Sequence, residues 1–222
     1  DENAQFYSYL QFIQKQSKEI EPLKVQRKQL SDAKQPTDSI DASMKRIDES
    51  VANYKKDFIT KNQGSFLAAV FKASQDIVIP DAPILPNGAK DSTFAYRFYK
   101  AHYFDNIDLS DERLLRTPIY NSKVSYYMKN MVLQIPDSII PECDMLVSKA
   151  KPNKETFKFM VWYLTNTHET SNIMGMDAVF VHLVKKYYTK ELAYWVDDAT
   201  LFKIQDRASI LDPILIGKKV KN

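Results

Sequence analysis

Residues 37–61 read TDSIDASMKRIDESVANYKKDFITK. Within this stretch Ile40, Met44, Ile47, Val51, Tyr54 and Phe58 follow one another at alternating spacings of four and three. That is a seam of a and d positions sustained for nearly three heptads. It sets the apolar side chains in one stripe and gives the helix a reason to pair. Thr37 or Asp38 is placed to cap its start by accepting from free backbone N–H groups. Upstream, Phe6, Leu10, Ile13, Ile20, Leu23 and Leu30 recur at helical intervals, so residues 2–34 form a second amphipathic helix. Pro22 lies inside it. A proline lacks one donor and crowds the preceding turn, so a kink or break is expected near Glu19. Gln35-Pro36 is the turn between the two. Two helices of about 25–30 residues, each about 40 Å long, joined by so short a turn, predict an antiparallel hairpin.

Composition supports a helical protein. Among 222 residues, Gly64, Gly88, Gly175 and Gly217 are the only glycines. That scarcity excludes glycine-rich phosphate loops, dinucleotide-binding turns and most architectures built on many tight β-turns. The single cysteine, Cys143, excludes an internal disulfide and any Cys-x-x-Cys motif. Lys and Arg number 31 against 28 Asp and Glu, a net charge of +3, too balanced for a dedicated nucleic-acid binder. No apolar run reaches the ~18 residues a membrane span requires.

Beyond the hairpin, Gly64-Ser65 ends one helix and caps a short one, Phe66 to Ser74. Residues 75–91 carry Pro80, Pro83, Pro86 and the turn-forming Asn87-Gly88, and form a long linking loop whose isoleucines are expected to tuck inward. Ser92 caps the next helix, in which Ala95, Phe98, Tyr99, His102 and Tyr103 share one face. Ser110 with Asp111 and Glu112 starts another. Pro118, Pro136 and Pro152 each sit where a helix begins, the first of these running to about Gln134. A helix from Ile173 to Tyr188, a short turn through Trp195, and a last helix from Asp197 to Leu211 complete the chain. The fold class is all-α with no significant sheet: a long antiparallel hairpin followed by a multi-helix bundle or irregular array. The organisation is 1–74 hairpin and short helix, 75–91 loop, 92–216 aromatic-rich helical unit, and 217–222 the start of a linker.

Candidate chemistry is sparse. His168 opens His168-Glu169-Thr170-Ser171-Asn172, but a zinc-binding pair needs a second histidine where Asn172 stands. His182 is separated from His168 by a helix-breaking Gly175. Asp105, Asp108, Asp111 and Glu112 form an acidic cluster without the central glycine of a calcium loop, and read as solvated helix caps. Cys143 has no partner in sequence for redox or nucleophilic work and reads as a small, partly buried residue. No catalytic residue, metal ligand or cofactor site is assigned. The 13 Tyr and 12 Phe are read first as core. The candidate binding surface is His102, Tyr103, Asp105 and Tyr99.

One stretch, Tyr96-Arg97-Phe98-Tyr99-Lys100-Ala101-His102-Tyr103-Phe104-Asp105-Asn106-Ile107, together with Leu114-Leu115-Arg116-Thr117-Pro118-Ile119-Tyr120 and Asp212-Pro213-Ile214-Leu215-Ile216-Gly217-Lys218, resembles a helical domain of unknown function in bacterial cell-envelope proteins. The resemblance covers about residues 65–222. There the domain precedes a thioredoxin-like domain, in proteins similar to TlpA/ResA-type thiol-disulfide oxidoreductases that are secreted or lipid-anchored in the periplasm. The family's redox Cys-x-x-Cys has no counterpart here, and no catalytic residue is carried onto Cys143. The resemblance therefore implies a non-catalytic accessory module that positions a downstream thioredoxin-like domain or holds a client protein, with self-association through residues 2–63 as a further role. A ligand-binding or small hydrolytic domain using an aromatic pocket around His102 is the alternative. No nucleic acid is expected as a partner.

Overall fold

The computed structural model describes residues 2–218. Nine α-helices and no strand occur among them, with a single isolated antiparallel bridge between Ile84 and Lys90. No helix among the described residues is long and apolar enough to cross a membrane. The chain divides into two compact units, Asp1–Asp76 and Ile77–Asn222.

The first unit holds α1 (Glu2–Asp32), α2 (Asp38–Lys61) and α3 (Phe66–Ala73). α1 and α2 pair antiparallel: Arg27 near the end of α1 binds Asp41 at the start of α2, while Gln5 Nε2 donates to Asn62 Oδ1 (2.9 Å) at the opposite end. The α2 seam faces inward as the spacing predicts, from Ile40 to Phe58. The inward stripe of α1 is the predicted one in part: Ile13, Ile20, Leu23 and Leu30 are half-buried, but Phe6 and Leu10 are exposed, and Tyr9, Phe12 and Gln16 take their place toward the partner. Near its start the apolar residues of α1 are spread around the helix, so its own pattern does not choose a face there. The rings of its partners do: Phe12 stacks on Tyr54 (4.3 Å), and Tyr9 meets Phe71 edge-on (4.6 Å).

Pro22 does not end α1, which runs unbroken through it. The carbonyl it leaves unbonded belongs to Lys18, and both residues are exposed, so that carbonyl is open to solvent. α3 closes the open end of the hairpin. Gly64 adopts a left-handed φ of +86°, Ser65 caps α3 by accepting from Ala68 N, and Glu2 Oε1 accepts from Phe66 N (2.8 Å). Phe58, Leu67, Ala68 and Phe71 form the core of this unit.

The second unit opens with the proline-rich loop. Ile77 is half-buried, but Val78, Ile79 and Ile84 face solvent, so the loop does not tuck its isoleucines inward. α4 (Phe94–His102), α5 (Pro118–Asn130), α6 (Pro136–Ala150), α7 (Lys154–Glu169), α8 (Asp177–Tyr187) and α9 (Asp198–Leu211) follow. Asp91, rather than Ser92, organises the start of α4, accepting from the Thr93 backbone and hydroxyl. Asp111, rather than Ser110, caps a 3-10 turn over Glu112–Arg116. α5 stops at Asn130 instead of Gln134, where Gln134 folds back to donate to the Met128 and Val132 carbonyls. α8 begins at Asp177, not Ile173, because Gly175 at φ +86° makes a turn before it. The predicted linker 217–222 lies outside the described residues beyond Lys218.

α7 is the centre of this unit. It packs on both α6 and α8, and Met160, Val161 and Leu164 are fully buried, as are Ile139, Leu146 and Val147 of α6 and Val179, Leu183 and Val184 of α8.

Truncation of Phe71, which touches both Tyr9 and Phe58, is expected to destabilise the first unit by about 3–5 kcal/mol, read as a lower urea midpoint for Phe71→Ala. Pro22→Ala, in an exposed and uninterrupted helical turn, is expected to raise stability by up to about 3 kcal/mol in the same titration.

Candidate functional site

α4 carries the residues singled out from sequence. Phe94, Phe98 and His102, each four apart, stack along one stripe, with Phe98 and His102 centroids 4.1 Å apart. His102 Nδ1 then meets Asp105 Oδ2 at 2.6 Å, and both side chains are about half exposed. Tyr99 and Tyr103 take another direction. Tyr103 is buried, edge-on to Tyr99 (5.6 Å) and Phe104 (5.0 Å), with Lys123 Nζ over its ring. The four residues therefore form two pairs: His102–Asp105 at the surface and Tyr99–Tyr103 in an aromatic cluster. They do not converge on one point.

A cleft of about 390 Å³ does open beside α4, and its lining includes Tyr96, Lys100, Phe104, Asp105, Tyr127 and Glu142. Asp105 is the one member of the predicted four that lines it. Its polar centre is Glu142 on α6, which accepts from Lys100 Nζ (2.7 Å) and the Tyr127 hydroxyl (2.8 Å). Burial pushes the Tyr103 phenol up to about 12, with Tyr99 and Tyr126 adding to it. Burial, and then the hydrogen bond to Glu142, raise Tyr127 further. Neither phenol is a base at neutral pH. The cleft offers aromatic walls, a carboxylate held by Lys100, and the further charged side chains of Arg97, Asp105 and Lys149, which suit contact rather than bond-breaking.

The acidic cluster after α4 is divided among separate duties. Asp105 holds His102, Asp108 accepts from Ser110, Asp111 caps the 3-10 turn and Glu112 accepts from Asn153. Among the described residues no three His, Cys, Asp or Glu side chains gather to hold a metal ion. His168 is buried in the last turn of α7, its Nδ1 2.7 Å from the Leu164 carbonyl, and burial lowers its pKa.

Cys143 is fully buried in α6. Burial first, and then the charges of Asp144 and Glu142, drive its thiol pKa well above the ordinary value. A thiol so placed is a packing residue, since the reactive form is the thiolate.

The most heavily bonded acid is one that spacing alone does not reveal. Asp144 on α6 receives Lys186 Nζ (2.8 Å), the Tyr187 hydroxyl (2.7 Å) and His182 Nε2 (3.1 Å), all from α8. Burial opposes its charge, but these three hydrogen bonds together outweigh that and hold its carboxyl below the ordinary range. The His182–Lys186 spacing of four marks a basic face on α8. Nothing in sequence says which acid meets it.

Against known proteins, residues 31–212 match the family model described as Domain of unknown function (DUF5106), and the chain belongs to that family. No curated protein and no solved structure matches it significantly.

Asp144→Ala is expected to cost about 2–3 kcal/mol at neutral pH, since hydrogen bonds to a charged group are lost. Because the folded-state pKa is depressed, this contribution is complete above the ordinary carboxylate pKa. It disappears as pH falls through the depressed value. Urea titrations of both proteins across acid pH are expected to converge. Cys143 is expected to resist Ellman's reagent in the native state and to react fully in concentrated guanidinium chloride.

Proposed function

We propose that this chain is a non-catalytic helical interaction module that serves a thioredoxin-like partner domain in the bacterial cell envelope. The observation that carries this reading is the placement of Cys143. It is the one thiol in 222 residues, and it is sealed in the core with its pKa raised. Thiol-disulfide chemistry associated with this chain is then supplied by another domain, and the helical body contributes geometry and contact surface. The cleft beside α4 supports the same reading. Its central acid, Glu142, is held by Lys100 and Tyr127, its second, Asp105, is paired with His102, and the Tyr127 phenol stays protonated, so it presents walls for a client or for the redox domain instead of a reactive group. Exposed aromatic side chains on the same unit, Tyr96 and Tyr126 among them, add contact area at small entropic cost.

The test is an insulin-reduction assay on residues 1–222 with dithiothreitol as the electron source. The rate is expected to equal the uncatalysed background and to be the same for Cys143→Ser. The reading frame continuing past Asn222 is expected to encode a Cys-x-x-Cys within a domain of about 100 residues, and the longer protein to reduce insulin. Turnover by residues 1–222 that is lost in Cys143→Ser would overturn the proposal, as would a frame lacking any dithiol domain.

A further inference from the structure

The outer side of α7 carries a second cleft, away from the α4 residues. Trp162, Asn166 and Glu169 recur at spacings of four and three beside the buried Thr165. Facing them are Phe180 on α8, Tyr188 and Trp195 in the segment after it, and Asp197 at the start of α9. The enclosed volume is about 320 Å³. A neighbouring hollow of about 360 Å³ shares both indoles and is lined besides by Leu115, Phe159, Glu155 and Lys158.

The polar groups of this cleft divide sharply into committed and free. Glu169 is bound by Arg207 at 2.9 Å. Asp197 caps α9, accepting from Thr200 N (2.9 Å) and Oγ1 (2.7 Å). Both carboxylates are therefore already compensated. Thr165 is only 4% exposed, yet its Oγ1 has no hydrogen-bond partner. The Tyr188 phenol is its polar neighbour, and Thr165 opposes the rise that burial causes in that group's pKa, without a hydrogen bond of ordinary length and angle between the two. The Asn166 amide and the two indole N–H groups also make no hydrogen bond among the described residues. What the cleft offers a ligand is thus flat aromatic surface and neutral donors and acceptors. In the first cleft an organic cation would need an uncommitted carboxylate and an anion a basic residue, of which its lining has none; the adjoining hollow carries one charge of each sign, Glu155 and Lys158. A purely apolar ligand would leave the Thr165 hydroxyl unpaired in a drier site, at a cost.

We propose that this cleft binds a neutral, hydroxyl-rich small molecule of the mono- or disaccharide class. The apolar C–H face of one ring lies on an indole, and its hydroxyls bond Thr165 Oγ1 and the Asn166 amide. The volume suits one ring, and the adjoining hollow across the indoles takes a second. This goes beyond the accessory role and stands or falls separately from it.

Trp162 and Trp195 are the only tryptophans in the chain, so its indole emission reports on this site alone. The full 222-residue chain is titrated with glucose, galactose, maltose and cellobiose, and with tetramethylammonium chloride and sodium benzoate as charged controls. A saturable change is expected with at least one sugar and with neither salt. Thr165→Val exchanges the unpaired hydroxyl for a methyl group. It is expected to weaken sugar binding about five- to tenfold without lowering Tm. Asn166→Ala, at an exposed position, is expected to weaken binding comparably, and it decides alone if Thr165→Val does not fold. The proposal is overturned by silence toward all four sugars, by saturation with either salt instead, or by sugar affinity that neither variant alters.

Discussion

The larger unit depends on the double-sided burial of one helix. α7 sends Met160, Val161 and Leu164 into complete burial between α6 and α8, which fixes those helices in register with it. Each such side chain is worth about 1.5–3 kcal/mol when removed from water, so the stripe outweighs any surface contact of the unit. Packing this dense fixes the helix's rotation as well as its place. The residues on its remaining side, Trp162, Asn166 and Glu169, are therefore presented outward by necessity. The core and the indole-lined cleft are two faces of one element.

The polar interactions sit on the shoulders of that core and fasten helices already packed. Asp144 joins α6 to α8 through three donors, and Glu142, two residues earlier, joins α6 to α4 and α5 through Lys100 and Tyr127. Between them lies Cys143, turned inward. Three consecutive residues thus divide one helix into two charged flanks and an apolar centre. The charges on both flanks help to keep the thiol protonated.

The sequence made the all-α class legible because its strongest signals are local. The four–three seam of α2, the prolines opening α5 and α6, and Asp197 at the start of α9 require no knowledge of distant partners. The face of α1 was legible along most of its length, where Ile13, Ile20, Leu23 and Leu30 are half-buried as spaced, but not at its start, since Phe6 and Leu10 are as apolar as Phe12 and the choice there falls to the rings of Tyr54 and Phe71. Pro22 misleads for a related reason: the cost of an unpaired carbonyl depends on solvent, which spacing does not encode. At the candidate site, His102 and Asp105 do pair, and Tyr99 does meet Tyr103, because three- and four-residue spacings carry that information. Glu142 with Lys100, and Asp144 with His182, are contacts across 42 or 38 positions of chain and lie beyond any periodicity.

The hairpin of the first unit is fastened unevenly along its length. Its ring contacts gather at the end closed by α3, whereas the end near Lys34 relies on the Arg27–Asp41 ion pair and on Ile40. Lys34 is exposed and held at a positive φ of 52°. Openings of the native state begin at such weakly packed tips. A trypsin nick after Lys34 would therefore leave two fragments that stay associated through the aromatic clasp, so that the cut is visible under denaturing conditions while the native particle keeps its mass.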